Sequence, residues 1–215
     1  LIGQETTGAG GFSKAVRTIP KILDICKDIE KYAPKALLIN FTNPAGIITE
    51  LISNYTQVSV IGLCNVPINM KSNVAKLLDV ELEHIHIDFV GLNHMVYGQK
   101  VFCRGEEKTE EVLTLLKNGG SVNMNNIPDM RWRKSLLEEI QMIPCPYHKY
   151  FYMTKEMLEE ELTQFREKGT TRGVEVKAIE AKLFEIYGDI SITDKPIELE
   201  KRGGSLYSDA AMSLI

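Results

Sequence analysis

The segment ALLINFTNPAGIITELISNYTQVSVIGLCNVP, residues 36–67, decides the fold class. Its first apolar run, 36–41, is short and continuous, which is typical of a strand buried on both faces. Asn43 and Pro44 then predict a turn, with Asn43 as the cap of a helix whose first residue is Pro44. The apolar run 58–63 repeats the pattern and leads into a second turn that contains proline. The order strand, helix, strand, helix predicts a parallel sheet with crossover helices.

Polar side chains follow both predicted strands at the point where each strand ends. Asn43 follows the first strand, and Cys64 follows the second. Ligands of such sheets bind beyond the carboxyl ends of the strands. The convergence of these two residues on one sheet edge therefore predicts a binding site.

The segments around this core are read from their periodicity. The glycines of 8–11 predict a flexible loop before a helix, and Pro20 predicts a kink or two consecutive helices. Residues 85–90 alternate and 96–102 have the pattern of a further strand, which predicts an antiparallel hairpin with GLNH, 91–94, between its arms. Further helices are predicted around 132–140, 157–165 and 174–187.

Composition excludes several classes of protein. The chain has 215 residues, of which 44% are hydrophobic and 25% charged, and its net charge of −4 gives no electrostatic basis for binding nucleic acid. No apolar run is long enough to cross a bilayer, so we expect no membrane partner and a cytoplasmic location. The four scattered cysteines include no CxxC pair, which argues against a zinc ribbon or a disulfide framework. The chain begins with Leu1 and ends within a helical pattern, so we expect a fragment.

Cys64 is a candidate metal ligand, and three histidines are candidates for its partner. His84 and His86 lie two residues apart on a predicted strand and share a face, whereas His94 lies in the hairpin turn. A thiolate with an imidazole suits Mn²⁺, Fe²⁺, Co²⁺ or Zn²⁺. Each histidine also has a simpler interpretation, as an exposed strand residue or a hydrogen-bonded loop residue.

Two further stretches carry candidate residues. KRGGSLYSD, 201–209, contains Tyr207 near a predicted helix start, where the helix dipole favours a phenolate. The simpler interpretation is a capping loop with a packed tyrosine. Glu5 precedes the glycine loop and is either a general base or an exposed loop carboxylate.

Taken together, the motifs resemble glycoside hydrolase family 4, the NAD- and metal-dependent glycosidases. The matching stretches, which follow the family's order along nearly the whole chain, are GQETTG (3–8) with GGF (10–12), NFTNP (40–44), GLCNVP (62–67), GLNH (91–94) and RGGSLYS (202–208). The CNVP sequence is similar to the branch that acts on 6-phospho-β-glucosides.

This resemblance implies both the cofactors and the reaction. Cys64 and His94 would bind Mn²⁺ or another divalent ion, and NAD⁺ would oxidise the C3 hydroxyl of the sugar. Deprotonation at C2, elimination of the aglycone, addition of water and re-reduction then complete hydrolysis of a 6-phospho-β-glucoside. The family is an exception to the usual mechanism with two carboxylates.

The resemblance also implies the other site residues. Tyr207 matches the family's base, and Glu5 matches the acidic residue that makes that tyrosine more basic. Asn43 matches a substrate-binding asparagine. Asn65, also a substrate-binding candidate, stands where α-specific relatives carry an acid.

We therefore expect an α/β fold. Residues 1–83 would form the remainder of a Rossmann-like NAD-binding domain without its N-terminal strand and glycine-rich loop. Residues 84–215 would form an α+β domain for substrate and metal. The resemblance implies a homo-oligomer, dimer or tetramer, and we expect the 215 residues alone to be inactive.

Two rival functions share part of this pattern. A malate- or lactate-type dehydrogenase has the same architecture but needs no metal thiolate. A degenerate fragment would only bind or oligomerise.

Overall fold

The computed structural model describes residues 8–124, 126–202 and 207–212, in which helices and strands are mixed along the chain. The α-helices are α1 (Gly8–Tyr32), α2 (Ala45–Tyr55), α3 (Val66–Leu77), α4 (Thr109–Lys117), α5 (Lys134–Ile140), α6 (Lys149–Tyr152), α7 (Thr154–Lys168), α8 (Arg172–Gly188), α9 (Glu198–Arg202) and α10 (Tyr207–Met212). The strands are β1 (Leu37–Asn40), β2 (Ser59–Gly62), β3 (Ile85–Leu92), β4 (Met95–Cys103), β5 (Glu106–Glu107) and β6 (Ile143–Pro144).

The described residues form two compact units. The first consists of 8–65 with 207–212, and the second of 66–124 with 126–202. The first unit contains the parallel pair β1 and β2, and the second contains an antiparallel sheet of β3 to β6. The predicted α/β fold, a parallel sheet followed by an α+β part, is therefore confirmed. The domain boundary at residue 83 stays a prediction.

The first unit is built on the crossover that the sequence predicts. β1 and β2 pair in parallel with Leu37 opposite Ser59 and Asn40 opposite Gly62, and α2 joins them. The core of this unit combines apolar residues of α1 and α2 with the segment that leads into β2. Its buried members are Ile22, Cys26, Ile48, Ile52 and Val58. Burial of these side chains is what holds the two helices on the sheet.

Helix α1 corrects two predictions. The glycines at 8–11 form its first turn and not a loop, and Gly11 is buried. By contrast, Gly8 and Gly10 are exposed. Pro20 lies inside one continuous helix, so the alternative of two consecutive helices is wrong, whereas the kink stays a prediction. Proline removes the hydrogen bond to the carbonyl four residues earlier, and that residue, Val16, is 55% exposed, so water can satisfy the carbonyl.

The turn before α2 differs from its prediction by one residue. Pro44 is the N-cap and Ala45 the first helical residue, and no side chain caps the helix. The Asn43–Pro44 peptide is cis, and the Pro44 carbonyl accepts the Ile48 N–H at 3.0 Å. The expectation that both faces of β1 are buried is also wrong, because Leu37 is exposed.

Gly62 at the end of β2 lies directly against Thr49 of α2. A Cβ added to Gly62 would overlap Thr49 Oγ1 and lie 3.0 Å from Thr49 Cβ. The missing side chain therefore allows the helix to approach the strand end. Gly46, in the first turn of the same helix, has no heavy atom within 4 Å of such a Cβ.

The second unit contains the predicted hairpin. β3 and β4 pair along their length, from Ile85 opposite Cys103 to Leu92 opposite Met95, with a bulge after Asp88. The connecting turn is shorter than predicted, because the strands leave only Asn93 and His94 between them. The helices predicted around 132–140, 157–165 and 174–187 correspond to α5, α7 and α8.

A cluster of aromatic rings joins this sheet to α6. The imidazole of His148 stacks on the Tyr97 ring with centroids 4.1 Å apart, and the Tyr97 and Tyr152 hydroxyls are 2.6 Å apart. His148 is fully buried, and neither ring nitrogen has a hydrogen-bond partner among the residues that the structure describes. Burial lowers the pKa of His148 to about 4.

Two general features complete the fold. Among the described residues, no helix has the length and apolar character needed to span a bilayer. All four cysteines lie in the described ranges, and they form no disulfide with one another.

We predict opposite effects for two glycine substitutions in the first unit. Gly62→Ala should lower the free energy of unfolding by about 1–3 kcal/mol, because the new methyl group overpacks the contact with Thr49. Gly46→Ala should raise it by about 0.5–1 kcal/mol, because alanine stabilises a helix more than glycine does at an exposed position. Urea unfolding of both variants measures the difference. Equal effects would contradict the close approach at Gly62.

We also predict that acid destabilises the second unit through His148. Its pKa in the folded protein, about 4, lies below the ordinary value of 6.5. The unfolded chain therefore binds this proton first as the pH falls, so the stability conferred by burial of neutral His148 is complete above pH 6.5 and is lost towards pH 4.

The test is the urea midpoint measured from pH 7 to pH 4. His148→Phe should flatten the decline. A parallel decline in His148→Phe would contradict the prediction.

Candidate metal and substrate site

The carboxyl ends of β1 and β2 form one edge of the parallel pair, and this edge carries the predicted site residues. β1 ends at Asn40 and β2 at Gly62, which are opposite each other. The Leu63 N–H extends the pairing by donating to the Asn40 carbonyl at 2.9 Å. Asn43 and Cys64 therefore follow adjacent strand ends, as the sequence predicts.

Asn40 organises this edge, and the sequence analysis missed it. Its side chain is buried at 4% exposure. Its amide nitrogen donates to Thr49 Oγ1 at 3.2 Å and to the Thr42 and Ala45 carbonyls at 3.4 and 3.5 Å. Its amide oxygen accepts the Thr42 N–H at 2.9 Å. One buried amide thus fixes the turn that carries Asn43.

Cys64 and Asn65 lie beside each other at this edge. Both are half-buried, and the Cys64 Sγ is 3.9 Å from Asn65 Oδ1. The thiol is thus accessible but held near a polar neighbour. A thiolate here can serve as a metal ligand, and the Asn65 amide can form hydrogen bonds to a sugar hydroxyl.

Tyr207 lies in the same unit, at the start of α10. Its ring makes an edge-to-face contact with the ring of Phe41, with centroids 4.9 Å apart, and Tyr207 is 42% exposed. Phe41 immediately follows β1. The fold thus brings Tyr207 to the strand end that precedes Asn43. Glu5 lies outside the described residues.

His94 belongs to the second unit and occupies the hairpin turn. It has φ of 62°, in the left-handed region, and is 5% exposed. Few residues other than glycine adopt this conformation, although histidine does so more often than most. Asp79, Arg104 and Gln141 also have positive φ, so the conformation of His94 reflects its place in a tight turn.

The ring of His94 is fixed by a second segment of the same unit. It stacks on Tyr147 with centroids 4.0 Å apart and an interplanar angle of 11°. The Cys145 thiol donates to the His94 carbonyl at 3.4 Å, and the Cys145 N–H donates to the Val96 carbonyl at 3.2 Å. The segment from Cys145 to Tyr147 therefore holds both the backbone and the ring of His94.

Tyr147 is a candidate functional residue that the sequence did not indicate. It is buried against His94, and its hydroxyl oxygen accepts a hydrogen bond from Asn126 Nδ2 at 3.1 Å. The only local signal was its position after two prolines in IPCPY, 143–147. That signal predicts a rigid loop but not what the loop contacts.

The predicted site residues thus fall into two groups. Asn43, Cys64, Asn65 and Tyr207 are in the first unit, and His94 is in the second. Within the described residues, no cluster of three or more His, Cys, Asp or Glu side chains has the geometry of a metal site. The pairing of Cys64 with His94 as two ligands of one metal stays a prediction.

Sequence comparison identifies the family. Residues 1–80 match the family 4 glycosyl hydrolases, and residues 89–215 match the C-terminal domain of the same family.

Individual relatives match the whole chain. A probable 6-phospho-β-glucosidase of Bacillus subtilis is 48% identical over 100% of this chain and 49% of the relative. The 6-phospho-β-glucosidase of Escherichia coli is 41% identical over 100% of this chain and 48% of the relative. This chain therefore spans about half the length of the curated relatives it matches.

Comparison with solved structures agrees. The 6-phospho-β-glucosidase of Thermotoga maritima, solved with manganese, NAD⁺ and glucose 6-phosphate, matches with a TM-score of 0.78 and 40% identity, covering 100% of this chain and 48% of that one. Sequence and fold lead to the same conclusion: the chain belongs to family 4 of the glycosyl hydrolases.

Proposed function

We propose that the protein hydrolyses 6-phospho-β-glucosides with NAD⁺ and a divalent metal. The observation that carries the proposal is the edge of the parallel pair, where Asn43 and Cys64 follow adjacent strand ends. Relatives at 41–48% identity are 6-phospho-β-glucosidases. One such enzyme was solved with manganese, NAD⁺ and glucose 6-phosphate.

Cys64 and His94 are the proposed metal ligands. Their chemistry fits, because a half-buried thiol and a buried imidazole are a donor pair that suits Mn²⁺ or a similar ion. When bound, NAD⁺ and the metal supply reversible oxidation at C3 and polarisation of the sugar oxygens. His94 is supported by the Tyr147 ring, which stacks on its imidazole, and by the Cys145 thiol, which donates a hydrogen bond to its carbonyl.

A tyrosine is the proposed base that removes the C2 proton, and two tyrosines are candidates. Tyr207 is the candidate that the family resemblance implies, and it lies in the same unit as Cys64. Tyr147 is a second candidate, because its ring contacts His94. A phenol can act as a general base once its pKa is lowered, and a cation nearby would lower it.

The remaining residues bind or assist in this proposal. The Asn43 and Asn65 amides, at the strand edge, hydrogen-bond the phosphorylated sugar. Glu5 increases the basicity of Tyr207. We further propose that turnover needs the full-length protein and not the 215 residues alone, and that this protein is a cytoplasmic homo-oligomer.

The first test of the function is hydrolysis of p-nitrophenyl β-glucoside 6-phosphate by the full-length protein that contains this chain. We expect turnover with NAD⁺ and Mn²⁺, loss of turnover after chelation, and no oxidation of malate or lactate. The 215-residue chain alone should show none. Activity that survives chelation, or oxidation of a 2-hydroxy acid, would contradict the proposal.

Matched cysteine variants test the metal site directly. Cys64→Ser should weaken Mn²⁺ binding at least tenfold, because serine is a poor ligand for this ion, and should abolish turnover. Cys103→Ser, at a half-buried cysteine of β4, should change neither. Calorimetry measures the metal affinity independently of activity. An unchanged affinity in Cys64→Ser would exclude Cys64 as a ligand.

Phenylalanine substitutions decide between the two tyrosines. Loss of the base should lower kcat by about 10²–10⁴-fold, and we expect this for Tyr207→Phe. A larger loss in Tyr147→Phe would instead identify Tyr147 as the base. Tyr55→Phe, at an exposed tyrosine of α2, is the control. Full activity in both site variants would eliminate a tyrosine base.

A further inference from the structure

We infer that Thr49 of α2 is a positioning residue that fixes the spacing between Asn43 and Cys64. The inference rests on the proposed function, in which Asn43 binds the sugar and Cys64 binds the metal. These two residues follow the ends of β1 and β2, where Asn40 and Gly62 lie opposite each other. Thr49 contacts both strand ends with a single side chain, so it can act on both site residues through the strands that carry them.

The contact with β1 fixes which way the buried amide of Asn40 points. The Thr42 N–H can only donate, so it binds the amide oxygen of Asn40, at 2.9 Å. The amide nitrogen must then face acceptors. Among the described residues, its shortest hydrogen bond is the one to Thr49 Oγ1, at 3.2 Å. Thr49 thus anchors the amide that closes the turn carrying Asn43.

The contact with β2 is a packing contact with the backbone of Gly62. A Cβ added to Gly62 would overlap Thr49 Oγ1 and lie 3.0 and 3.1 Å from Thr49 Cβ and Cγ2. The side chain of Thr49 therefore occupies the space where other residues would carry a Cβ. Since Gly62 precedes Cys64 by two residues, the position of Thr49 bears on the segment that carries the proposed metal ligand.

Backbone pairing between the two strands ends just before these site residues. Among the described residues, the last backbone hydrogen bond between the strands joins the Leu63 N–H to the Asn40 carbonyl at 2.9 Å. Thr49 adds a side-chain link between the same two ends. Groups that are held at the correct spacing before binding need not be ordered by the ligand, which strengthens binding. Thr49 should therefore affect affinity for the sugar more than the chemical step.

The first test uses the full-length protein with p-nitrophenyl β-glucoside 6-phosphate, NAD⁺ and Mn²⁺. Thr49→Val keeps the shape of the side chain and removes the acceptor for Asn40. It should raise KM about fivefold, as expected for one lost hydrogen bond, and leave kcat within about twofold. Thr49→Ser keeps the hydroxyl and should restore KM to within about twofold of the wild type. Thr114→Val, at an exposed threonine of α4, is the matched control and should change neither constant.

Calorimetry with Mn²⁺ alone separates loss of spacing from loss of the metal site. Thr49→Val should bind Mn²⁺ within about twofold of the wild type, because the substitution leaves the Cys64 thiol in place. A tenfold weaker affinity would mean that the metal ligand itself is displaced, and it would overturn the inference.

A double-mutant cycle tests the contact with Gly62 without reference to activity. Gly62→Ala should lower the urea midpoint in the wild type. In the Thr49→Ala background this drop should shrink to about half or less, because Oγ1 and Cγ2 are absent and only the Cβ at 3.0 Å remains. Equal drops in the two backgrounds would contradict the contact on which the inference depends.

The outcomes distinguish the inference from the function on which it rests. Wild-type protein without turnover would remove the proposed function and the inference with it. An active wild type with an unchanged KM in Thr49→Val would remove the inference alone. The same holds if Thr49→Ser raises KM as much as Thr49→Val does.

Discussion

The proposed site depends on one buried amide, the side chain of Asn40. Asn40 is the last residue of β1, and its side chain forms hydrogen bonds to Thr49 of α2 and to the backbone of the turn that carries Asn43. A buried polar group without partners destabilises a fold, so this network confines the amide, the helix and the turn to one arrangement. The arrangement also needs a glycine at Gly62, because α2 approaches the strand end through Thr49 at that point. The same contacts therefore pack the core and fix the position of the proposed site residues in this part of the molecule.

The parallel pair and the hairpin could be predicted because each is a matter of periodicity. Continuous apolar runs separated by a helical pattern define the crossover between β1 and β2, and alternation defines β3. The errors arose where a local signal was overridden. The glycines at 8–11 favour a loop, but in the structure they open a helix in which Gly11 is buried. Pro44 caps α2 and does not begin it, since the chain enters the helix with extended backbone at that residue.

The candidate site was predictable only in part, for a physical reason. Asn43 and Cys64 follow strands, so topology alone brings them to one edge. The contacts that hold His94, in contrast, do not follow from topology. Tyr147, Cys145 and Asn126 contact it or one another across long stretches of sequence, through side-chain packing that periodicity does not encode. Asn40 was missed for a similar reason, because an asparagine at a strand end has no signature that separates a buried hub from an exposed cap.

The hairpin turn gives His94 a second constraint that is unrelated to its ring. Its backbone has φ of 62°, a conformation that glycine and asparagine adopt more easily. A turn selected for folding alone would carry one of those residues in its place. Replacing His94 by glycine to idealise this turn would therefore relieve the backbone but remove a packed ring, and a screen for heat resistance alone would not reveal the loss of the proposed metal ligand.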